Sequence, residues 1–406
     1  TPMNCDWTTS QEVELKFTDR LGSGFKNYQY AITESQETPD TYSSPIEKQN
    51  DTITIDEDGI KYLHIIATDN AGNISEDRVV GPYYIDRTAP TGTIDYLPKE
   101  WVIDEVTLNW NFTDSGCGFS KVILPNGETV ENSASGKYTV YDNGKYDFDV
   151  YDKLGNHQII SIEIKNIDKI EPIISLSQRP SEWTDDTTIV TWNCTDDQSG
   201  FKEVLLPDGT SSKENTGEFT TEQLGTYTFI VYDNVGNEKK VSIEIQNIDK
   251  IEPELKLSQN TEEWVNEDVI ISWETSDAGS GFNNILLPDG TTSKNQNGTI
   301  SAKTNGNYSF VSCDNVGNTN LQTIEITNID KIAPTVTLEL VEENEIKIVK
   351  WTLADNESGI REMLLPDGTT STESSGNFEI EASGTYTFVG YDKAGNITIK
   401  SMKIDV

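Results

Sequence analysis

The 406-residue sequence predicts an all-β chain built as five β-sandwich domains in tandem, and three observations lead there. First, the phrase Asn-Ile-Asp-Lys-Ile stands at residues 166–170, 247–251 and 328–332, with the cousin Tyr84-Ile85-Asp86-Arg87 before them. The aspartates Asp86, Asp168, Asp249 and Asp330 are spaced by 82, 81 and 81 residues, and a fixed period of this size is the signature of a repeat architecture. Second, apolar and polar residues alternate with period two over short runs rich in β-branched and aromatic types, as in Thr226–Tyr232 and Val241–Ile245. Third, Pro-Asp-Gly and Asp-x-x-Gly-Asn words separate those runs and supply the fixed and positive φ angles that tight turns need.

Within a repeat the elements follow one order, seen in the third. The junction phrase leads to a proline (Pro90, Pro172, Pro253, Pro334), and a first strand follows near 173–177. The second, near 188–195, carries Trp192, as Trp110, Trp273 and Trp351 mark it elsewhere. Asp-x-x-Ser-Gly-Phe or a variant (Asp196–Phe201, Asp277–Phe282, Asp355–Ile360) turns into the third, near 201–206. Leu-Pro-Asp-Gly (Leu206–Gly209, Leu287–Gly290, Leu365–Gly368, with Asn126 for Asp in the second repeat) opens a short fourth strand near 210–213, and a fifth lies near 217–221. Gly-x-Tyr-x-Phe starts the sixth, near 226–232, and its tyrosine (Tyr146, Tyr227, Tyr308, Tyr386, with Tyr62 in the first repeat) matches a tyrosine corner. Asp-x-x-Gly-Asn then turns into a seventh near 240–246. Seven short strands in about 80 residues is a sandwich count. The division reads 1–88, 89–170, 171–251, 252–332 and 333–406. The first repeat diverges: it lacks Leu-Pro-Asp-Gly and carries Tyr28-Gln29-Tyr30-Ala31 and the polar segment Glu34–Ser44.

In this order the motifs resemble the bacterial immunoglobulin-like repeats of large surface adhesins and secreted multidomain proteins, and the resemblance covers the whole chain. It implies a seven-stranded Greek-key immunoglobulin-like sandwich for each domain, an extracellular home, attached to the cell surface or secreted, and a non-catalytic role as a stalk, spacer or adhesion segment. Such scaffolds also serve as carbohydrate-binding accessory domains of secreted hydrolases and as subunits of surface layers or filaments, and these readings stay open. The Pro-bearing junctions leave almost no spacer, so the expected array is a semi-rigid rod of about 180 Å.

Composition narrows the partners. With 30 Lys+Arg against 69 Asp+Glu, a formal charge of −39 repels phosphate backbones, so nucleic acid is excluded as a partner. No stretch reaches the roughly 18 apolar residues of a membrane span, and the opening Thr1-Pro2-Met3-Asn4 reads as the start of a mature or excised fragment whose signal and anchor lie elsewhere. The expected partner is a host protein or glycan, with self-association a further route. The four cysteines, Cys5, Cys117, Cys194 and Cys313, fall in different repeats, so none pairs within a domain. The two histidines, His64 and His157, lie in different repeats and rule against a histidine relay or an imidazole-rich zinc site. Tryptophans Trp101, Trp183 and Trp264 precede the second strands as sandwich-edge residues or stacking platforms.

The candidate site comes from topology. In a sandwich of this connectivity the junction, the loop after the tryptophan strand and the sixth-to-seventh turn meet at one pole. That gathers Asp86, Asp114 and Asp152; Asp168, Asp196 and Asp233; Asp249, Asp277 and Asp314; and Asp330, Asp355 and Asp392. Two readings stand side by side. Such aspartates close Asx turns and cap backbone amides. Clustered hard oxygens in a chain this acidic also suit Ca²⁺, and some adhesins that the chain resembles are stiffened by Ca²⁺ at domain boundaries. No cofactor is required in either case.

Overall fold

The structure, a computed structural model, describes residues 6–19 and 22–406, and every helix-or-strand element among them is a β-strand. The chain forms two compact units, one of Thr1–Ile174, Cys194–Asn215 and Phe229–Lys240, the other of Ser175–Asn193, Thr216–Thr228 and Val241–Val406.

In the first compact unit, the second repeat builds strands Thr91–Leu97, Val106–Thr113, Phe119–Ile123, Thr129–Glu131, Ser135–Val140, Gly144–Asp152 and His157–Ile164. They form two antiparallel sheets, in the orders fifth-second-first and seventh-sixth-third-fourth. In the second compact unit, the fourth and fifth repeats show the same two orders. Three strands facing four, with the short fourth strand paired to the third, is an immunoglobulin-like sandwich of the fibronectin III kind.

Period-two alternation puts one residue set inside. Along Val269–Ser276 the buried positions are Val269, Ile271, Trp273 and Thr275, and along Gly306–Asp314 they are Phe310, Ser312 and Asp314. Leu255, Ile285, Ala302, Ile326 and Ile329 complete that core. The second and fifth repeats repeat the pattern around Trp110 with Phe148 and around Trp351 with Phe388. The fifth strand meets each tryptophan with a glycine: Gly298 sits directly across from Trp273, Gly136 from Trp110 and Gly376 from Trp351. The third-repeat strands, Ile173–Arg179, Thr188–Thr195, Phe201–Leu205, Ser211–Ser212, Thr216–Thr221, Gly225–Asp233 and Glu238–Ile245, lie within two residues of the expected bounds.

The first repeat has its own core, of Leu15, Tyr28, Ile53, Ile55, Leu63, Ile65 and Ile85, but its described residues form five strands: Gln11–Lys16, Phe25–Thr33, Asn50–Ile55, Gly59–Asp69 and Arg78–Ile85. The polar segment Glu34–Ser44 stands where other repeats place their short fourth strand. Its residues lack the apolar alternation a strand needs, and Pro39 has no N–H to donate. Cys117, Cys194 and Cys313 are free thiols; Cys5 lies outside the described residues. Burial pushes Cys117 up to about 12 and Cys194 to about 11, which keeps both thiols inert. No helix among the described residues is long and apolar enough to cross a membrane.

Candidate functional site

The structure brings the junction aspartates together. One carboxylate oxygen each from Asp168, Asp196 and Asp233 lie within 4.8 Å of one another, as do those of Asp249, Asp277 and Asp314 and of Asp330, Asp355 and Asp392. In the second repeat the corresponding group is Asp86, Asp152 and the thiol of Cys117. Cys117 occupies the serine position of Asp-x-x-Ser-Gly-Phe, so the substitution was visible in the motif, though not its meeting with the carboxylates. Asp114 sits beside that group, accepting hydrogen bonds from the amides of Gly116 at 3.1 Å and Gly118 at 2.7 Å. Burial, together with the charges of Asp86 and Asp152, pushes the Asp114 carboxyl up.

Turn chemistry places each carboxylate. Asp233 Oδ1 accepts from the amides of Val235, Gly236 and Asn237 at 3.0, 2.6 and 2.8 Å, and its Oδ2 from Asn237 Nδ2 at 2.6 Å. The tight return requires Gly236, at φ 103°. Asp196 Oδ1 accepts from the amides of Gln198 and Gly200 at 3.2 and 2.6 Å, closing the loop after the tryptophan strand. Asp314, Asp277 and Asp355 hold the same bonds, whereas, among the described residues, the Asp392 carboxylate accepts only from Asn396, through its amide and its Nδ2, both at 2.7 Å.

The junction aspartate works in two directions. The Asp168 amide donates to Val102 O at 2.8 Å, on the repeat behind it. Its Oδ2 accepts from the Ser199 amide at 2.9 Å, and its carbonyl accepts from Asn237 Nδ2 at 3.1 Å, both on the repeat ahead. Asp330 does the same with Val265, Ser358 and Asn396, and Asp86 with Thr8, Cys117 and Asn156. The asparagine that ends Asp-x-x-Gly-Asn is therefore a seam residue as well as a turn residue. Motif reading alone missed this, because its partner is 69 residues away.

Asp168, Asp249 and Asp330 are buried. Burial works against their charge, but the serine ahead and the amide two residues on more than offset it, so all three carboxyls sit below their ordinary value. A folded-state value below the unfolded one contributes stability that is complete above the unfolded value of about 3.9 and is lost as pH falls through the lower folded value. The denaturation midpoint of the wild type is expected to drop more steeply below about pH 4 than that of Asp249→Asn. Parallel acid titrations of both proteins check this, and identical slopes would remove the role given to Asp249.

Other features are structural. The hydroxyls of Tyr146, Tyr308 and Tyr386 donate to the carbonyls four residues back, Asp142, Thr304 and Ala382, at 2.6, 2.8 and 2.8 Å. Trp101 and Trp183 are 39% and 42% exposed, and Trp264 is half-buried. Each precedes a bridge that joins Val102, Thr184 or Val265 to the Ile of the next junction phrase.

No protein-family description matches the chain, and no curated protein matches it. Solved structures do. A 1.5-MDa bacterial ice-binding adhesin, described for its host cell surface retention, is 14% identical with a TM-score of 0.33, over 58% of this chain and 97% of that one. Invasin, a bacterial integrin-binding protein, is 11% identical with a TM-score of 0.27, over 78% and 79%. Fibronectin(III)-like modules of Clostridium thermocellum CbhA are 14% identical with a TM-score of 0.19, over 38% and 93%. The structural neighbours are bacterial adhesin, invasin and fibronectin III-like repeats. At identities and TM-scores this low, what those proteins bind remains theirs.

Proposed function

We propose that the chain is a non-catalytic extracellular spacer or adhesion segment of a bacterial surface protein, composed of five domains that divide near residues 88, 170, 251 and 332. The observation that carries this reading is the seam: one buried aspartate per junction ties the repeat behind to the loops ahead through its amide, carboxylate and carbonyl. A bond set repeated at every junction serves the continuity of an array, whereas a catalytic constellation would be confined to one place. The junctions limit bending, so the segment is semi-rigid and holds whatever it carries away from a surface. Its partner would be a host protein or a glycan.

The four clusters would take a divalent cation. Three are sets of carboxylate oxygens, hard donors suited to Ca²⁺, while the second offers a thiol with two carboxylates. Asp168, Asp196 and Asp233 and their counterparts would hold the ion, which would supply charge balance to carboxylates already committed to turn amides. Small-angle scattering and thermal melts in millimolar Ca²⁺ and in excess chelator test this. Bound Ca²⁺ would lengthen the particle and raise the melting temperature, stabilising by about 2.7 kcal/mol at a hundredfold excess over Kd. No change in either would leave the aspartates as turn and seam residues, and a compact globular profile in both conditions would overturn the spacer reading.

A further inference from the structure

We propose that the Glu34–Ser44 segment of the first repeat is a proton-latched strap, held across the outer face of the Gly59–Asp69 strand by a positively charged His64 and released when that imidazole loses its proton. His64 stands between Leu63 and Ile65, both core residues, so alternation should turn it to solvent on the opposite face. Instead it is 0% exposed, because the segment lies over it. In the second, fourth and fifth repeats the corresponding sixth-strand positions, Asp147, Ser309 and Thr387, are exposed.

The protonation state follows from the partners. His64 Nδ1 lies 2.6 Å from Asp77 Oδ2, and Nε2 lies 2.9 Å from the Ser35 carbonyl oxygen and 3.1 Å from Thr33 Oγ1. A carboxylate and a peptide carbonyl only accept, and the Thr33 hydroxyl spends its proton on the same Ser35 oxygen at 2.7 Å. With Asp77 ionised and the Thr33 hydroxyl turned to Ser35, both ring nitrogens donate, and only the imidazolium does so. A neutral ring would aim a lone pair at Asp77 or at Ser35. Since Ser35 belongs to the strap, losing the Nε2 proton turns an attractive contact with the strap into a repulsive one.

The charged groups around the latch come from every element that meets it. Asp77, 10% exposed at its side chain, holds Nδ1 from the turn before the last strand, with solvent-exposed Arg78 next to it. Tyr42 of the strap lies beside Asp77, and burial followed by that carboxylate pushes its hydroxyl up. On the strand of His64, buried Lys61 bonds Glu34 of the strap at 3.1 Å and lies 3.6 Å from Glu57. The Ser43 amide donates to Tyr30 O at 2.7 Å and anchors the far end. The Lys61–Glu34 ion pair fastens the base of the strap, while His64 governs the span.

Imidazole ¹⁵N shifts and amide exchange at Ser43, corrected for intrinsic rates and followed across a pH series, test the latch on the full chain. His157→Gln assigns the histidine signals. The expected result is that Ser43 is protected while both ring nitrogens of His64 carry protons and loses at least about tenfold of that protection once the imidazole is neutral. His64→Gln should expose Ser43 equally at both ends of the range. A neutral His64 beneath a still protected strap would overturn the proposal. If the variant does not fold, the wild-type titration alone decides.

Discussion

Gly298→Ala is expected to destabilise the fourth repeat by about 3 kcal/mol, at the upper end of what overpacking costs. A Cβ at this position would stand 2.2 Å from Trp273 Cζ2 and 2.3 Å from Cη2, distances that no pair of carbon atoms tolerates. Neither partner has room to yield. Gly298 is held across from Trp273 by an antiparallel register running from Val269↔Ala302 to Glu274↔Asn297. The indole is 6% exposed and lies 6.0 Å, centroid to centroid, from the Phe310 ring. Trp273→Phe should rescue part of the loss, because a smaller ring vacates the space the methyl group enters, and neighbours that share a space couple by about 0.5 to 3 kcal/mol. Amide exchange of the Glu254–Ile326 core reads both effects. A change within about 0.5 kcal/mol for Gly298→Ala would mean that the close approach of glycine to tryptophan is not a packing requirement.

Asp330→Ala should cost about 2 to 3 kcal/mol, chiefly through one orphaned donor. Asp330 is 0% exposed; its Oδ2 accepts from the Ser358 amide at 3.0 Å and its Oδ1 from the Ile332 amide at 2.9 Å. Ser358 is itself buried at 4% exposure, so water does not replace the lost acceptor, whereas Ile332 is 62% exposed and its amide rehydrates. Asp330→Asn keeps one acceptor oxygen and turns an NH₂ toward the other amide, so its loss should be intermediate. Denaturant titrations in chelator separate this hydrogen-bond effect from any bound cation. Equal stability of wild type and Asp330→Ala under those conditions would remove the seam from the account of the array.

The strands were legible because their determinants are local. Alternation in Thr226–Tyr232, the glycine of Asp-x-x-Gly-Asn and the Pro-Asp of Leu-Pro-Asp-Gly act within a few residues of themselves, so period and turn chemistry can be read along the chain. Three of the four aspartate trios were legible too, since Greek-key connectivity brings their loops to one pole. The second trio was not, because a thiol in a serine position gives no local sign of which atoms it will face.

Glu34–Ser44 marks the boundary between the two kinds of information. Its polarity and Pro39 already rule against a strand, but nothing in its composition tells that Ser35 O will cap a histidine 29 residues away. The all-β class, the strand positions and the repeat period were set by alternation and turn residues, each effective over one or two strand lengths. The glycine opposite each tryptophan, the asparagine that reaches back 69 residues to Asp168 O and the burial of His64 were decided by packing. Hydrogen bonds and steric contacts act over about 3 to 4 Å through space, and only the folded chain brings residues so far apart in sequence within that range.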